Sequence, residues 1–289
     1  MKLHHLNPQS VHPKKVVVVG AGGFIGRSIT QALMNDGVKT VPISRNDINF
    51  LDKTAANKFM HVVQGADALV IALAEAPCKT SSALVRNIQM LDPIVNVISE
   101  MSNLHSVYIS SDAVYADSML KLDEDSCCAP TSMHGIMHLT REVMLGLVDN
   151  SRLAIVRPTM VFGDRDPHNS YGPNRFKRNA ERGETITLFG QGEELRDHIW
   201  INDVTAIVSR ILCKKSIGVI NAVTGEVTSF RDIASLIVAS LRSSSRIEPS
   251  VRVAPIPHNG YRAFDNTLLC QAFPEIRLTP LSSIFNKFH

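Results

Sequence analysis

The chain has 289 residues, 44% of them apolar and 20% charged, with a formal charge of +3. These are the proportions of an ordinary globular protein, long enough for one large domain or for a domain with a smaller lobe. So small an excess of charge, with no basic block interleaved with aromatics, argues against a nucleic-acid partner. The apolar runs are too short to span a bilayer and residues 1–13 lack the core of a signal peptide, so no membrane partner and a cytoplasmic location are expected.

Residues 1–13 are polar and are expected to form a flexible lead-in. Val16-Val17-Val18-Val19 follows, a β-branched run suited to a strand buried on both faces. Gly20-Ala21-Gly22-Gly23-Phe24-Ile25-Gly26 comes next, then Ile25, Ile29, Leu33 and Met34 at helical spacing until Asn35-Asp36-Gly37. Strands are predicted at Val38–Ile43 and within Ala66–Leu73. A helix is predicted from about Ser82 to Met101, interrupted near Pro93. Further elements are a strand at Ser106–Ser110, a helix over 132–149 and a strand at Leu153–Pro158. This alternation predicts a doubly wound parallel α/β sheet covered on both faces. Residues 163–175 are polar and turn-rich, a loop long enough to suggest a task. Ser229 is placed to cap a helix over Phe230–Leu241.

A glycine loop between a buried strand and an amphipathic helix is the setting in which this motif binds a dinucleotide. Gly20 permits the tight turn, Gly23 allows a pyrophosphate to approach the backbone, and Gly26 allows helix and strand to pack closely. The helix start beyond, at Phe24 and Ile25, adds free N–H groups. A plain tight turn is the alternative. At the end of the second strand, where an acidic residue would favour NAD, stand Ser44 and Arg45. A hydroxyl and a planar guanidinium suit a 2′-phosphate, so NADP is preferred over NAD. Asp47 and Ile48 are placed near the adenine, and Leu73 and Ala74 near a ribose. The five cysteines form no Cys-x-x-Cys pair and are expected to be reduced. The vicinal Cys127-Cys128 reads as a loop pair rather than a redox centre.

Five segments in order resemble the extended short-chain dehydrogenases, the NAD-dependent epimerase/dehydratase family. They are the glycine loop, Ser110–Tyr115, Ile155–Gly163, Leu188–Val204 and Asn221–Ser229. The resemblance covers almost the whole chain. It implies a Rossmann domain over 14–162 and 201–223, with a smaller discontinuous substrate-binding lobe over 163–200 and 224–289. It also implies a nucleoside-diphosphate sugar in the cleft between them, Pro158 at the cofactor, and a homodimer as an option. In that family a serine, a tyrosine and a lysine exchange a proton with a sugar carbinol while the nicotinamide exchanges hydride. Ser111 matches the serine, but His134 stands at the tyrosine and His138 at the lysine.

Two histidines four residues apart share one helix face. Imidazole titrates near neutrality without help, whereas phenol does not. His134 is therefore a chemically reasonable acid/base, with His138 available to a ribose hydroxyl. Three alternatives stay open: a cofactor-binding sensor or scaffold without turnover, a metal half-site at His134 and His138, and a purely structural pair. No metal is assigned. On the substrate side the resemblance points to Asn174, Arg175 and Arg196 for the diphosphate or base, and to Arg262 and Asp265 closing the pocket. Lys177, Arg178 and Arg182 read more simply as a solvated helix face.

Overall fold

The computed structural model describes residues 3–166, 169 and 171–285. Its elements run β1 (His4–His5), β2 (Lys15–Val19), α1 (Phe24–Asn35), β3 (Lys39–Ile43), α2 (Ala55–Val63), β4 (Ala68–Ile71), α3 (Ser81–Glu100), β5 (His105–Ile109), α4 (Met133–Asp149) and β6 (Leu153–Pro158). The chain continues through β7 (Met160–Phe162), α5 (Pro173–Glu181), β8 (Ile186–Phe189), β9 (Leu195–Arg196), β10 (His198–Trp200), α6 (Ile201–Lys214) and β11 (Ser216–Ala222). It ends with β12 (Thr228–Ser229), α7 (Phe230–Ser240), β13 (Ile247–Ser250), β14 (Tyr261–Arg262), α8 (Thr267–Ala272) and α9 (Leu281–Phe285).

Seven strands form one sheet in the order β1-β11-β6-β5-β4-β2-β3, parallel throughout except for β1. The chain leaves β2 toward β3 and returns on the other side to β4, so the order reverses beside β2. Ligands of open α/β sheets bind in the crevice such a reversal leaves at the strand ends. Val16 through Val19 are wholly buried because both faces are covered. On one face Val16, Val18 and Val70 pack with Ile29 of α1 and with Ile207 and Ile211 of α6. On the other Val17, Leu69 and Tyr108 pack with Phe59 of α2, Ile94 of α3 and Leu145 of α4. A separate apolar cluster joins Phe176 of α5, Leu188 of β8, and Phe230 and Ile237 of α7.

Two expectations change. The lead-in is tied down rather than free: His4–His5 pairs antiparallel with β11, the Asn7 and Val11 amides donate to Lys214 and Cys213, and the His5 ring meets Ser216 Oγ at 2.8 Å. It covers what would otherwise be an open sheet edge. Pro93 does not interrupt α3, which runs for 20 residues. The N–H it lacks would have reached Gln89, on the exposed side of the helix, where water can satisfy that carbonyl. Among the described residues no helix is long and apolar enough to cross a membrane.

Candidate active site

The glycine loop is shaped by backbone proximity. Gly20 has φ +86°, and a Cβ there would stand 2.5 Å from the Ala72 carbonyl oxygen at the end of β4. A Cβ on Gly26 would stand 2.2 Å from the Gly20 carbonyl oxygen. Gly23 is the N-cap of α1 and offers no side chain to its first amides. That leaves uncapped N–H donors behind a cradle that a Cβ would fill, which fits a pyrophosphate. Phe24 and Ile25 are half-buried at the helix start.

The turn after β3 differs from expectation. The Ser44 hydroxyl and amide both donate to Asp47 Oδ2, at 2.6 and 2.8 Å, and these bonds hold the Asp47 carboxyl below its ordinary range. Ser44 is therefore engaged within the turn, while Arg45 is exposed. The Ile48 side chain is 5% exposed and belongs to the core, so only its backbone could meet a ligand. Leu73 and Ala74 lie half-buried after β4, and Pro158 closes β6 beside Ala222 of β11.

Ser132 caps α4, accepting from the Gly135 amide at 3.1 Å. Gly135 lets the helix press against the turn after β5: a Cβ there would stand 2.0 Å from the Ala113 carbonyl oxygen. This presses α4 against the turn that carries Ser111 and Asp112 and brings His134 within reach of the Asp112 charge. Ser111 Oγ accepts from the Ala113 amide at 3.1 Å and donates to Asp112 Oδ1 at 3.3 Å. His134 Nδ1 accepts from the Cys78 amide at 3.4 Å. Burial lowers the His134 pKa, opposed by the Asp112 charge.

His138 is 5% exposed, and its Nδ1 meets Tyr108 Oη at 2.8 Å. Its pKa lies well below the ordinary value, through burial first and then the charges of His134 and Arg141. The two rings meet edge to face, 4.7 Å between centroids. A ring this enclosed offers little to a ribose hydroxyl, because α4 turns it into the sheet onto Tyr108. His134 is the more open of the pair. No cluster of three His, Cys, Asp or Glu able to hold a metal occurs among the described residues.

Three neighbours have buried partners that the sequence does not assign. Tyr108 reads as one more apolar residue of β5, yet its hydroxyl is the partner of His138, and burial pushes its pKa up to about 12. Arg141 is wholly buried and donates through Nη1 to the Leu73 carbonyl at 2.6 Å; Nε and Nη2 have no hydrogen-bond partner among the described residues. The adjacent Glu142 is paired with Arg157 at 2.6 Å and accepts from Ser110 Oγ at 2.5 Å, and Arg157 also donates to Tyr115 Oη at 2.9 Å.

The expected substrate residues are mostly engaged inside the protein. Asn174 accepts from the Gly163 amide at 3.0 Å and donates to Asp166 at 2.7 Å, which ties down the start of the loop. Arg175 is half-buried on α5. Arg196 donates through Nε and Nη2 to Glu194 Oε1 at 2.7 and 2.6 Å. Arg252 Nη2 lies 3.7 Å from the other Glu194 oxygen, giving a cluster of two cations and one anion. Arg262 is 2% exposed and spans from β14 to Asp112 at 3.0 Å and Asp117 at 3.4 Å, a brace between β14 and the segment after β5. Asp265 accepts from the Thr267 amide at 2.7 Å, a local turn at the start of α8.

Residues 16–222 match the NAD dependent epimerase/dehydratase family. A Bacillus subtilis (strain 168) protein named uncharacterized UDP-glucose epimerase YtcB is 24% identical, over 85% of this chain and 88% of its own length. The NAD complex of a Thermus thermophilus UDP-glucose 4-epimerase has the same fold, with TM-score 0.78 and 19% identity over 94% of this chain and 98% of that one. So does a Naegleria fowleri GDP-L-fucose synthetase bound to NADP, with TM-score 0.82 and 15% identity over 97% and 95% of the two chains. With the strand order, the glycine cradle and the α4 helix already in place, the match over most of its length makes this chain a member of the NAD-dependent epimerase/dehydratase family.

Proposed function

We propose that the protein is an NAD(P)-dependent epimerase, dehydratase or reductase acting on a nucleoside-diphosphate sugar, with His134 moving the proton of a sugar carbinol. The carrying observation is the position of His134: a half-open neutral imidazole between the Cys78 amide and the Ser111–Asp112 turn, at the strand ends. A bound nicotinamide cofactor would supply the hydride exchange. Gly20, Gly23 and Gly26 with the start of α1 would hold its pyrophosphate, and Arg45 would hold the ribose phosphate of NADP. Ser111 orients the reacting oxygen, and the Asp112 charge stabilises the imidazolium that forms when His134 accepts the proton. The nucleotide-sugar substrate is supported by the names of the relatives and by the net positive Arg196–Glu194–Arg252 cluster.

His134→Ala tests this. Turnover on nucleoside-diphosphate sugars should fall on the order of 10²- to 10⁴-fold, with cofactor affinity nearly unchanged. One observation favours a second reading, a dinucleotide-binding sensor: Arg196 and Arg262 already have carboxylate partners. A wild-type protein that binds cofactor but turns over no member of a nucleotide-sugar panel would establish that reading and end the first. A homodimer belongs to the same proposal. Ile136, Val143 and Leu147, exposed by 37, 53 and 84%, form an apolar stripe along α4. Sedimentation of the chain as a monomer would remove it.

A further inference from the structure

Behind His134 lies a buried polar chain that the proposed reaction does not itself require. Tyr108 on β5 meets His138 Nδ1 at 2.8 Å, and the His138 ring meets His134 edge to face at 4.7 Å, with 86° between the planes. Arg141 lies with its guanidinium carbon 5.6 Å from the Tyr108 ring centroid. Tyr108 and Arg141 are wholly buried, and Arg141 has no carboxylate partner among the described residues, although Glu142 next to it has Arg157. Burying a guanidinium with no carboxylate partner is costly, and its place beside the Tyr108 phenol ties the two residues together.

We propose that Tyr108 is a positioning residue for His134, acting through His138; the inference rests on the reading of His134 as the acid/base. The polarity of the chain follows from its ends. A cation beside a phenol makes the O–H a better donor and opposes a proton arriving on the imidazole beyond it. Tyr108 therefore donates to His138 Nδ1, and the His138 proton resides on Nε2. A single tautomer and a single ring rotation at His138 restrict the ring of His134 packed against it. At the other end the Cys78 amide holds His134 Nδ1. His134 is thus gripped from two sides, and small displacements of a reacting group are expensive in rate.

The test compares wild type with Tyr108→Phe, which keeps the ring and removes the hydroxyl. Long-range ¹H–¹⁵N spectra of the labelled protein should show His138 as the Nε2–H tautomer in wild type. The variant should show a mixture there and a moved ring signal at His134. With nucleotide sugar and cofactor, kcat should fall on the order of 10- to 100-fold, with KM and cofactor affinity within about twofold. Unchanged histidine spectra in the variant overturn the proposal, whatever the rate. If wild type turns over nothing, the proposed function fails and the spectra alone decide the positioning. Should Tyr108→Phe fail to fold, 3-fluorotyrosine at position 108 keeps the ring and makes the phenol more acidic. The His138 Nδ1 resonance must then move, and its standing still overturns the proposal.

Discussion

The glycine loop and the histidine-bearing helix meet at the same end of the sheet but are built by opposite means. Between Gly20 and Gly26 the shape comes from backbone atoms too close for a Cβ: the Ala72 carbonyl against Gly20 and the Gly20 carbonyl against Gly26. Around His134 and His138 it comes from side chains and an amide drawn from β5, α4 and the Cys78 and Asp112 segments. The first region leaves a cradle whose chemistry is nearly independent of which side chains stand nearby. The second keeps its chemistry only while several distant residues hold their places. A loop of the first kind can outlast changes in a region of the second, and His134 and His138 beside an intact glycine loop are an arrangement that this difference permits.

The largest expected effect lies in the loop. Gly20→Ala places a Cβ 2.5 Å from the Ala72 oxygen at a φ of +86°. Overpacking and the left-handed backbone together should cost roughly 2–5 kcal/mol. Urea unfolding measures the loss, and cofactor binding should disappear with it. A variant as stable as wild type that still bound cofactor would mean that β2 and β4 can part without harm, and the contrast between the regions would fail.

The same contrast explains what the sequence disclosed. The loop was legible because a glycine at a fixed offset after a buried strand reports a backbone constraint, and the constraint is local. Gly135 could be read as part of a motif, but not its 2.0 Å approach to Ala113. His134 and His138 were legible as a pair on one helix face. Tyr108 was not, because a tyrosine inside an apolar strand has the same pattern whether its hydroxyl meets water or an imidazole. Arg196 and Arg262 illustrate the opposite hazard. Arg196 is expected at the diphosphate and Arg262 at the pocket's edge, yet Glu194, two residues before the one, and Asp112, far in sequence from the other, occupy their guanidinium groups.

Acid should separate the regions next. His105, His138 and His198 are buried with lowered pKa values, His198 to about 3. Their unfolded forms take up protons below about pH 6.5 while the folded forms resist. Stability is therefore fully present above that pH and lost as the pH falls toward the folded values. Asp197 acts the other way: burial raises it to about 6 from 3.8, so its protonated form favours the fold as the pH falls. His134 and His258 add to the losses and Glu124 to the gains, so losses outnumber gains and stability should fall as the pH drops below about 6. Urea midpoints at stepped pH measure it, and a flat profile from about pH 7 to pH 5 would mean that the histidines are not neutral and enclosed. NADH affinity of the still-folded protein should change little over that range, since Gly20–Gly26 holds no titratable side chain and NADH carries no 2′-phosphate.

The smallest expected effect concerns Arg45, on which the proposed preference for NADP rests. Ser44 spends its hydroxyl on Asp47, and that carboxylate stays charged beside the site expected for the ribose. An anion there resists a second anion, so a 2′-phosphate must be held by Arg45 against it. The guanidinium is exposed, which limits each of its bonds to the modest end of charge-assisted contacts. Arg45→Ala should therefore weaken NADPH by about tenfold and leave NADH within about twofold, read from nucleotide fluorescence on titration. If both affinities hold, Arg45 is a solvated arginine and Asp47 sets the preference toward NAD. In that case the loop would have kept its cradle while the turn after β3, like the histidine helix, took its function from side-chain partners that a glycine pattern does not report.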